Sequence, residues 1–175
     1  MDFKNKSLII RAETHLDYES ISIVNNLAFG QETEAQLIDK IRNSENYIPE
    51  LSLVAELEHQ IIGYIMFSWI DLVAEKTIKV LALAPLAVSP KYQNQGVGST
   101  LVNEGLSIAD NYNIPLVIVL GHPNFYAKFG FEPSVKYNIA SPFDVPKEVF
   151  MVKLLKSYQQ DTCAKVVYPL AFNDL

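Results

Sequence analysis

The sequence predicts a mixed α/β (α+β) fold, with about six or seven strands in one mostly antiparallel sheet and about four flanking helices. Three observations carry that expectation. Two apolar runs rich in strand formers, Leu51 to Glu58 and Ile61 to Ile70, flank the turn-like His59-Gln60 and read as a hairpin. Pro115-Leu-Val-Ile-Val-Leu120 is apolar throughout, the pattern of a central strand covered on both faces. Between them, an apolar strand over Lys79 to Val88 leads through a glycine-bearing turn into a long helix, which is the crossover that a parallel strand pair requires.

The elements follow in order. Ser7-Leu-Ile-Ile-Arg11 is a short β-rich start. Asp17 to Leu27 places Tyr18, Ile21, Val24 and Leu27 at helical spacing, and Phe29-Gly30 ends that helix. Thr33 to Arg42 reads as a second helix, with Thr33 as N-cap and Leu37, Ile38 and Ile41 facing inward. After the hairpin, Lys79 to Val88 completes a three-stranded meander. In the helix Gly96 to Tyr112, residues Val97, Leu101, Gly105, Ile108 and Tyr112 share one face, and Gly105 allows close approach to the sheet. A short helix over Asn124 to Phe129 ends at Gly130, and Phe131 begins another strand. Ser141 to Pro146 is loop, Glu148 to Lys156 is the last strand, and the tail after it, carrying Tyr168 and Phe172, packs back on the body.

The chain has 175 residues, 49% of them hydrophobic, which suits a single domain over 1–175 with a substantial core. One cysteine, Cys163, excludes an internal disulfide, and with three scattered histidines it offers no zinc-type cluster, so no metal is expected. Cys163 reads as a buried or half-buried structural thiol. The charged N-terminus lacks a signal-peptide pattern and no run has membrane-spanning length, so a cytoplasmic protein without a membrane partner is expected. Fourteen basic against twenty acidic residues give a net charge of −6, which argues against nucleic-acid binding and favours a basic, amine-bearing substrate.

The most informative stretch is Leu83 to Val102. A strand broken by Pro85 meets Pro90 and then Gln93-Asn-Gln-Gly96-Val-Gly98-Ser99 at a helix start. Backbone N–H groups from Gln95 to Ser99 lack intrahelical partners there and, with the positive end of the helix dipole, suit a phosphate or pyrophosphate. Gly96 and Gly98 are expected to take positive φ and to let the backbone approach a ligand. The stretch lacks the Gly-Lys-Ser/Thr ending of a P-loop and the third glycine of a dinucleotide fingerprint, which weakens a nucleotide-binding alternative.

Leu86-Ala-Val-Ser-Pro-Lys-Tyr-Gln-Asn-Gln-Gly-Val-Gly98 resembles the pyrophosphate loop, Gln/Arg-x-x-Gly-x-Gly/Ala, of the GNAT superfamily of acyl-CoA-dependent N-acyltransferases. Phe125-Tyr126-Ala-Lys-Phe-Gly130-Phe131 is similar to that superfamily's Tyr-x-x-x-Gly-Phe segment, one helix and one strand downstream. Leu120-Gly-His-Pro-Asn-Phe-Tyr126 resembles more narrowly a bacterial subgroup of N-acetyltransferases, with His122 where Asp is usual. The resemblance covers residues 7 to 156. It implies a sheet splayed between the fourth and fifth strands, acetyl-CoA as co-substrate, and a cofactor site at Leu86, Ala87, Val88, Gln93, Asn94, Gln95, Gly96, Val97, Gly98 and Ser99. It also implies that the N–H of Leu86 or Ala87 polarises the acyl carbonyl. Many members dimerise, so a homodimer is an expectation from resemblance alone.

The implied reaction is direct acetyl transfer to an amine, of a small molecule or a protein, without a covalent enzyme intermediate. Tyr126 matches the superfamily tyrosine and is the candidate general acid; the competing reading is an aromatic packed beside Phe125 and Phe129. Glu34 lies in the helix that borders the acceptor site in the superfamily and is a candidate base or substrate contact. Asp71, His122, Glu56 and a water relay stand beside it. An acyl-CoA-binding sensor of the same fold, without efficient transfer, is the alternative function.

Overall fold

A computed structural model describes residues 7–159 and 163–173. Strand β1 (Leu8–Ala12) precedes helices α1 (Tyr18–Phe29) and α2 (Thr33–Arg42). Strands β2 (Ser52–Leu57), β3 (Gln60–Val73) and β4 (Thr77–Val88) form the antiparallel meander. Helix α3 (Val97–Asn111) crosses to β5 (Leu116–Leu120), which runs parallel to β4. Helix α4 (Pro123–Tyr126), prolonged by a 3₁₀ turn over Ala127–Phe129, leads to β6 (Glu132–Pro133), β7 (Ile139–Ala140), β8 (Phe150–Leu154) and β9 (Ala164–Val167). The sheet order is β1-β2-β3-β4-β5-β8-β6, and β9 pairs with both β3 and β7.

Two apolar layers cover the sheet. On one side Val97, Leu101, Val102 and Ala109 of α3 pack on Ile65, Phe67, Leu81, Leu83, Val117 and Val119. On the other, Ile21 of α1 and Leu37, Ile38 and Ile41 of α2 pack on Tyr64, Met66, Val80, Ala82, Leu116 and Ile118. Alternation along each strand sends odd and even positions to opposite layers, and β5 is buried at four consecutive residues because both faces are covered. Gly105 sits where α3 meets Phe67; a Cβ there would lie 2.2 Å from Phe67 Cε2.

Several expectations shift. The hairpin turn is Glu58-His59, both at positive φ, one residue earlier than expected. Thr33 is the first residue of α2 rather than its cap; Glu32 holds the cap position without a side-chain hydrogen bond. Tyr112, placed by periodicity on the buried face, is 49% exposed, because α3 ends there and the face beyond it no longer meets the sheet. Among the described residues the main path of the sheet holds seven strands, within the expected number, and β7 and β9 add two beside it. The two-residue β7 is too short for any periodic signal, and β9 belongs to the tail that does fold back, with Phe172 buried beyond it. Cys163 is exposed rather than buried, since it precedes β9 on the outward side of that strand's alternation.

Candidate active site

The site begins where β4 loses its neighbour. Beside β3, Phe67 opposes Leu83 and Ile65 opposes Leu86, so Ala84 and Pro85 together face Met66 and form a bulge; the Ala84–Pro85 peptide is cis. On its other edge β4 pairs with β5 only at Leu81↔Val117 and Ala82↔Ile118. Beyond that row β4 runs on to Val88 beside β3 alone, while β5 continues to Leu120 beside β8. The sheet therefore opens between the fourth and fifth strands.

Backbone direction in the opening follows from the register. The Ser89 N–H donates to the Ile62 carbonyl at 2.9 Å. With a period of two, the Ala87 N–H also faces β3, and the N–H and C=O groups of Leu86 and Val88 point into the gap. The Val88 carbonyl there accepts a 3.0 Å hydrogen bond from Gln93 Nε2, which folds the following loop against the strand. Of the two candidates for polarising a carbonyl, Leu86 directs its N–H to the gap and Ala87 does not.

A groove of about 580 Å³ continues from this edge over the start of α3. Leu86, Val88, Gln93, Asn94, Gly96, Gly98 and Ser99 line it, as the sequence led one to expect. Ala87, Gln95 and Val97 do not: Ala87 is buried toward α1 and α2, Val97 is buried under α3, and Gln95 donates from Nε2 to the Lys91 carbonyl at 2.8 Å. The first bond of α3 runs from the Thr100 N–H to the Gly96 carbonyl at 2.9 Å, leaving the N–H groups of Val97, Gly98 and Ser99 without intrahelical acceptors. Gly96 caps the helix at φ 91°, a conformation costly for other residues. Gly98 is helical, contrary to the expected positive φ, and a Cβ there would make ordinary contacts, 3.6 Å from Val88 and 3.7 Å from Phe125. Its missing side chain leaves room in the groove instead.

The opposite wall comes from the α4 segment. Tyr126 lines the groove, is 7% exposed, and packs edge-on against Phe125 at 5.0 Å and Phe131 at 5.5 Å. Burial pushes its phenol well above the usual tyrosine range, so it stays protonated at neutral pH. Tyr126 thus packs among the aromatic rings and also borders the groove. His122 also lines the groove; its carbonyl accepts from the Phe125 and Tyr126 N–H groups, and its side chain makes no capping bond. Tyr92 and Lys128 line the groove as well and were not anticipated, although Lys128 stands inside the quoted Tyr-x-x-x-Gly-Phe segment.

Apart from His122, the candidate bases fall elsewhere. Glu34 accepts 3.0 and 3.3 Å bonds from Gln31 at the exposed start of α2. Asp71 pairs with Lys79 at 2.9 Å, and Glu56 with Arg11 at 2.8 Å; none of these three carboxylates lines the groove. Behind the splayed segment, on the α1/α2 side, Tyr64 is the register partner of Ala87. Near it Glu13, with no exposed side-chain surface, receives 2.6 and 3.0 Å bonds from Arg42 and 2.7 Å from Tyr47. Burial, with the Glu13 charge second, holds the Tyr64 phenol well above its ordinary range. Among the described residues no group of three or more His, Cys, Asp or Glu could hold a metal ion, and no described helix is long and apolar enough to cross a membrane.

Comparison with known proteins agrees with this geometry. Residues 49–133 match the family described as Acetyltransferase (GNAT) domain. The "Uncharacterized N-acetyltransferase YhbS" of Escherichia coli strain K12 is 34% identical over 149 residues, 85% of this chain and 87% of that protein. YjhQ of the same strain, also an uncharacterized N-acetyltransferase, is 35% identical over 134 residues, 75% of this chain and 74% of that protein. The crystal structure of YhbS in complex with CoA superposes with a TM-score of 0.84 at 29% identity, covering 96% of this chain and 93% of that one. A GNAT-family acetyltransferase from Brucella melitensis in complex with acetyl-CoA superposes with a TM-score of 0.78 at 26% identity, covering 95% and 99%. With a splayed β4–β5 edge, a glycine-led helix start and these relatives, the chain belongs to the GNAT family of N-acetyltransferases.

Proposed function

We propose that this protein transfers the acetyl group of acetyl-CoA directly to an amine, using the gap between β4 and β5 as the thioester site. The observation that carries the reading is the pair of Leu86 and Val88 backbone groups pointing into that gap directly above the start of α3. The N–H groups of α3's first turn receive the pyrophosphate, and the backbone of Leu86 and Val88 receives the pantetheine amides. The Leu86 N–H donates to the acyl oxygen as negative charge develops there. As the amine nitrogen bonds to the carbonyl carbon and the C–S bond breaks, the departing thiolate takes the Tyr126 phenolic proton, which water restores. The amine's surplus proton passes to His122, the one candidate base that lines the groove, or to a water held beside it, since none of Glu34, Asp71 and Glu56 lines it. The acceptor is a basic amine, of a small molecule or a protein, in keeping with the net charge of −6.

Calorimetric titration with acetyl-CoA, CoA and NAD at fixed salt tests the cofactor, followed by turnover against a panel of primary amines. Selective binding of both CoA species, with transfer to at least one amine, is the expected result. Failure of the folded protein to bind either CoA species overturns the reading, and tight binding without turnover on any amine class favours the sensor alternative. Gly98→Glu projects a charged side chain toward Val88, Phe125 and Leu86, so it removes CoA binding while the protein still unfolds cooperatively.

A further inference from the structure

The groove differs in charge from the chain that builds it. The protein carries twenty acidic residues against fourteen basic ones, yet no carboxylate lines the groove, and Lys128 is the one lysine or arginine in its lining. Among the described residues Lys128 has no carboxylate partner, whereas Lys79, Lys136 and Lys156 each have one. Its ammonium lies 4.9 Å from the centre of the Phe125 ring. The tip of that ring reaches the first turn of α3, with Phe125 Cζ 3.7 Å from where a Gly98 Cβ would sit. Phe125 therefore touches both the lysine and the first turn of α3.

We propose that Lys128 is the residue by which the groove selects the 3′-phosphorylated form of its nucleotide, CoA over dephospho-CoA. The inference rests on the acetyl-CoA reading above and deepens it. Coenzyme A carries two separate anionic groups, a pyrophosphate and a 3′-phosphate monoester. The open N–H groups of Val97, Gly98 and Ser99 satisfy the first without a side-chain cation. A dianionic monoester in an exposed site needs a mobile point charge, which a lysine on a flexible stem supplies. Lys128, in the same groove as the helix start and unclaimed by any described carboxylate, is placed to supply it.

The test measures affinity of the wild type, Lys128→Met and Lys128→Arg for CoA and for dephospho-CoA by calorimetry at two ionic strengths. Lys128 is exposed, so both variants keep the wild-type unfolding midpoint. The wild type is expected to prefer CoA by about fivefold to tenfold, the range for one exposed charge-assisted contact. Lys128→Met should weaken CoA by that factor, leave dephospho-CoA unchanged and flatten the salt dependence, and Lys128→Arg should restore the preference. Equal losses for both ligands, or no loss for either, overturn the assignment while leaving the acetyl-CoA reading intact. A wild type that binds neither ligand overturns both.

Discussion

Adding one methyl group at Gly105 tests how α3 is seated on the sheet, and with it how the anion-binding turn is placed. A Cβ at this position would stand 2.2 Å from Phe67 Cε2 and 2.6 Å from Cζ, where carbon atoms ordinarily rest at about 3.5–4.0 Å. The ring has no free side to move to, because Phe67 is wholly buried among Leu81, Leu83, Leu101 and Val102. Helix propensity alone would favour alanine by about 1 kcal/mol. Overpacking of a fixed ring costs about 1–3 kcal/mol and, at so short a separation, falls at the upper end. Gly105→Ala should therefore lose about 1–2 kcal/mol net, lowering Tm by roughly 3–6 °C for a chain of this size. Urea and thermal denaturation followed through the single tryptophan, Trp69 on β3, read this directly. Phe67→Leu in the same chain frees the space, so the double variant should be more stable than the sum of the two single losses by about 1 kcal/mol. A Gly105→Ala protein as stable as the wild type, or strictly additive losses, would refute the close-approach argument.

The remaining predictions concern chemistry and the buried charges. Tyr126→Phe should keep the fold and CoA affinity but lower kcat about 10²-fold or more, the usual range for a lost general acid. Because burial raises the Tyr126 phenol above its ordinary range, its protonated form persists below that raised value; the rate should climb with pH as the amine deprotonates and show no fall from loss of the acid through pH 9. An unchanged kcat in Tyr126→Phe would reduce Tyr126 to packing. Arg42→Met leaves the fully buried Glu13 carboxylate without its ion partner and should cost about 3–5 kcal/mol in urea denaturation, with Glu13→Gln in the same chain recovering part of the loss. Little loss from Arg42→Met alone would mean that Tyr47 suffices to hold the carboxylate.

Much of the architecture was legible in sequence because its signals are local. Apolar periodicity located α2 to within a residue and β4 at its C-terminal end, and the all-apolar run 115–120 marked the buried central strand. The two motifs located seven of ten expected cofactor residues in one groove. The three whose side chains lie outside the groove do so because of side-chain direction. The side chains of Ala87, Gln95 and Val97 point to the α1/α2 layer, the loop backbone and the core, because strand alternation and helix phase decide which neighbour is exposed, while the Val97 N–H stays open at the helix start. Glu34 was placed by its helix, and that helix turns it toward Gln31.

By itself, the sequence determined that this chain would form strands around a crossover helix and that the helix would begin with an open, glycine-led turn, since such preferences depend on residues close together in the chain. Only the tertiary structure decided that β4 and β5 part after Ala82, that Leu86 and not Ala87 turns its N–H into the opening, and that Lys128 lines the same groove as the helix start. It also decided that Glu13 and Arg42, 29 positions apart, meet in the interior. These outcomes depend on register and packing between segments far apart in sequence, and local propensity carries no information about which of them will touch.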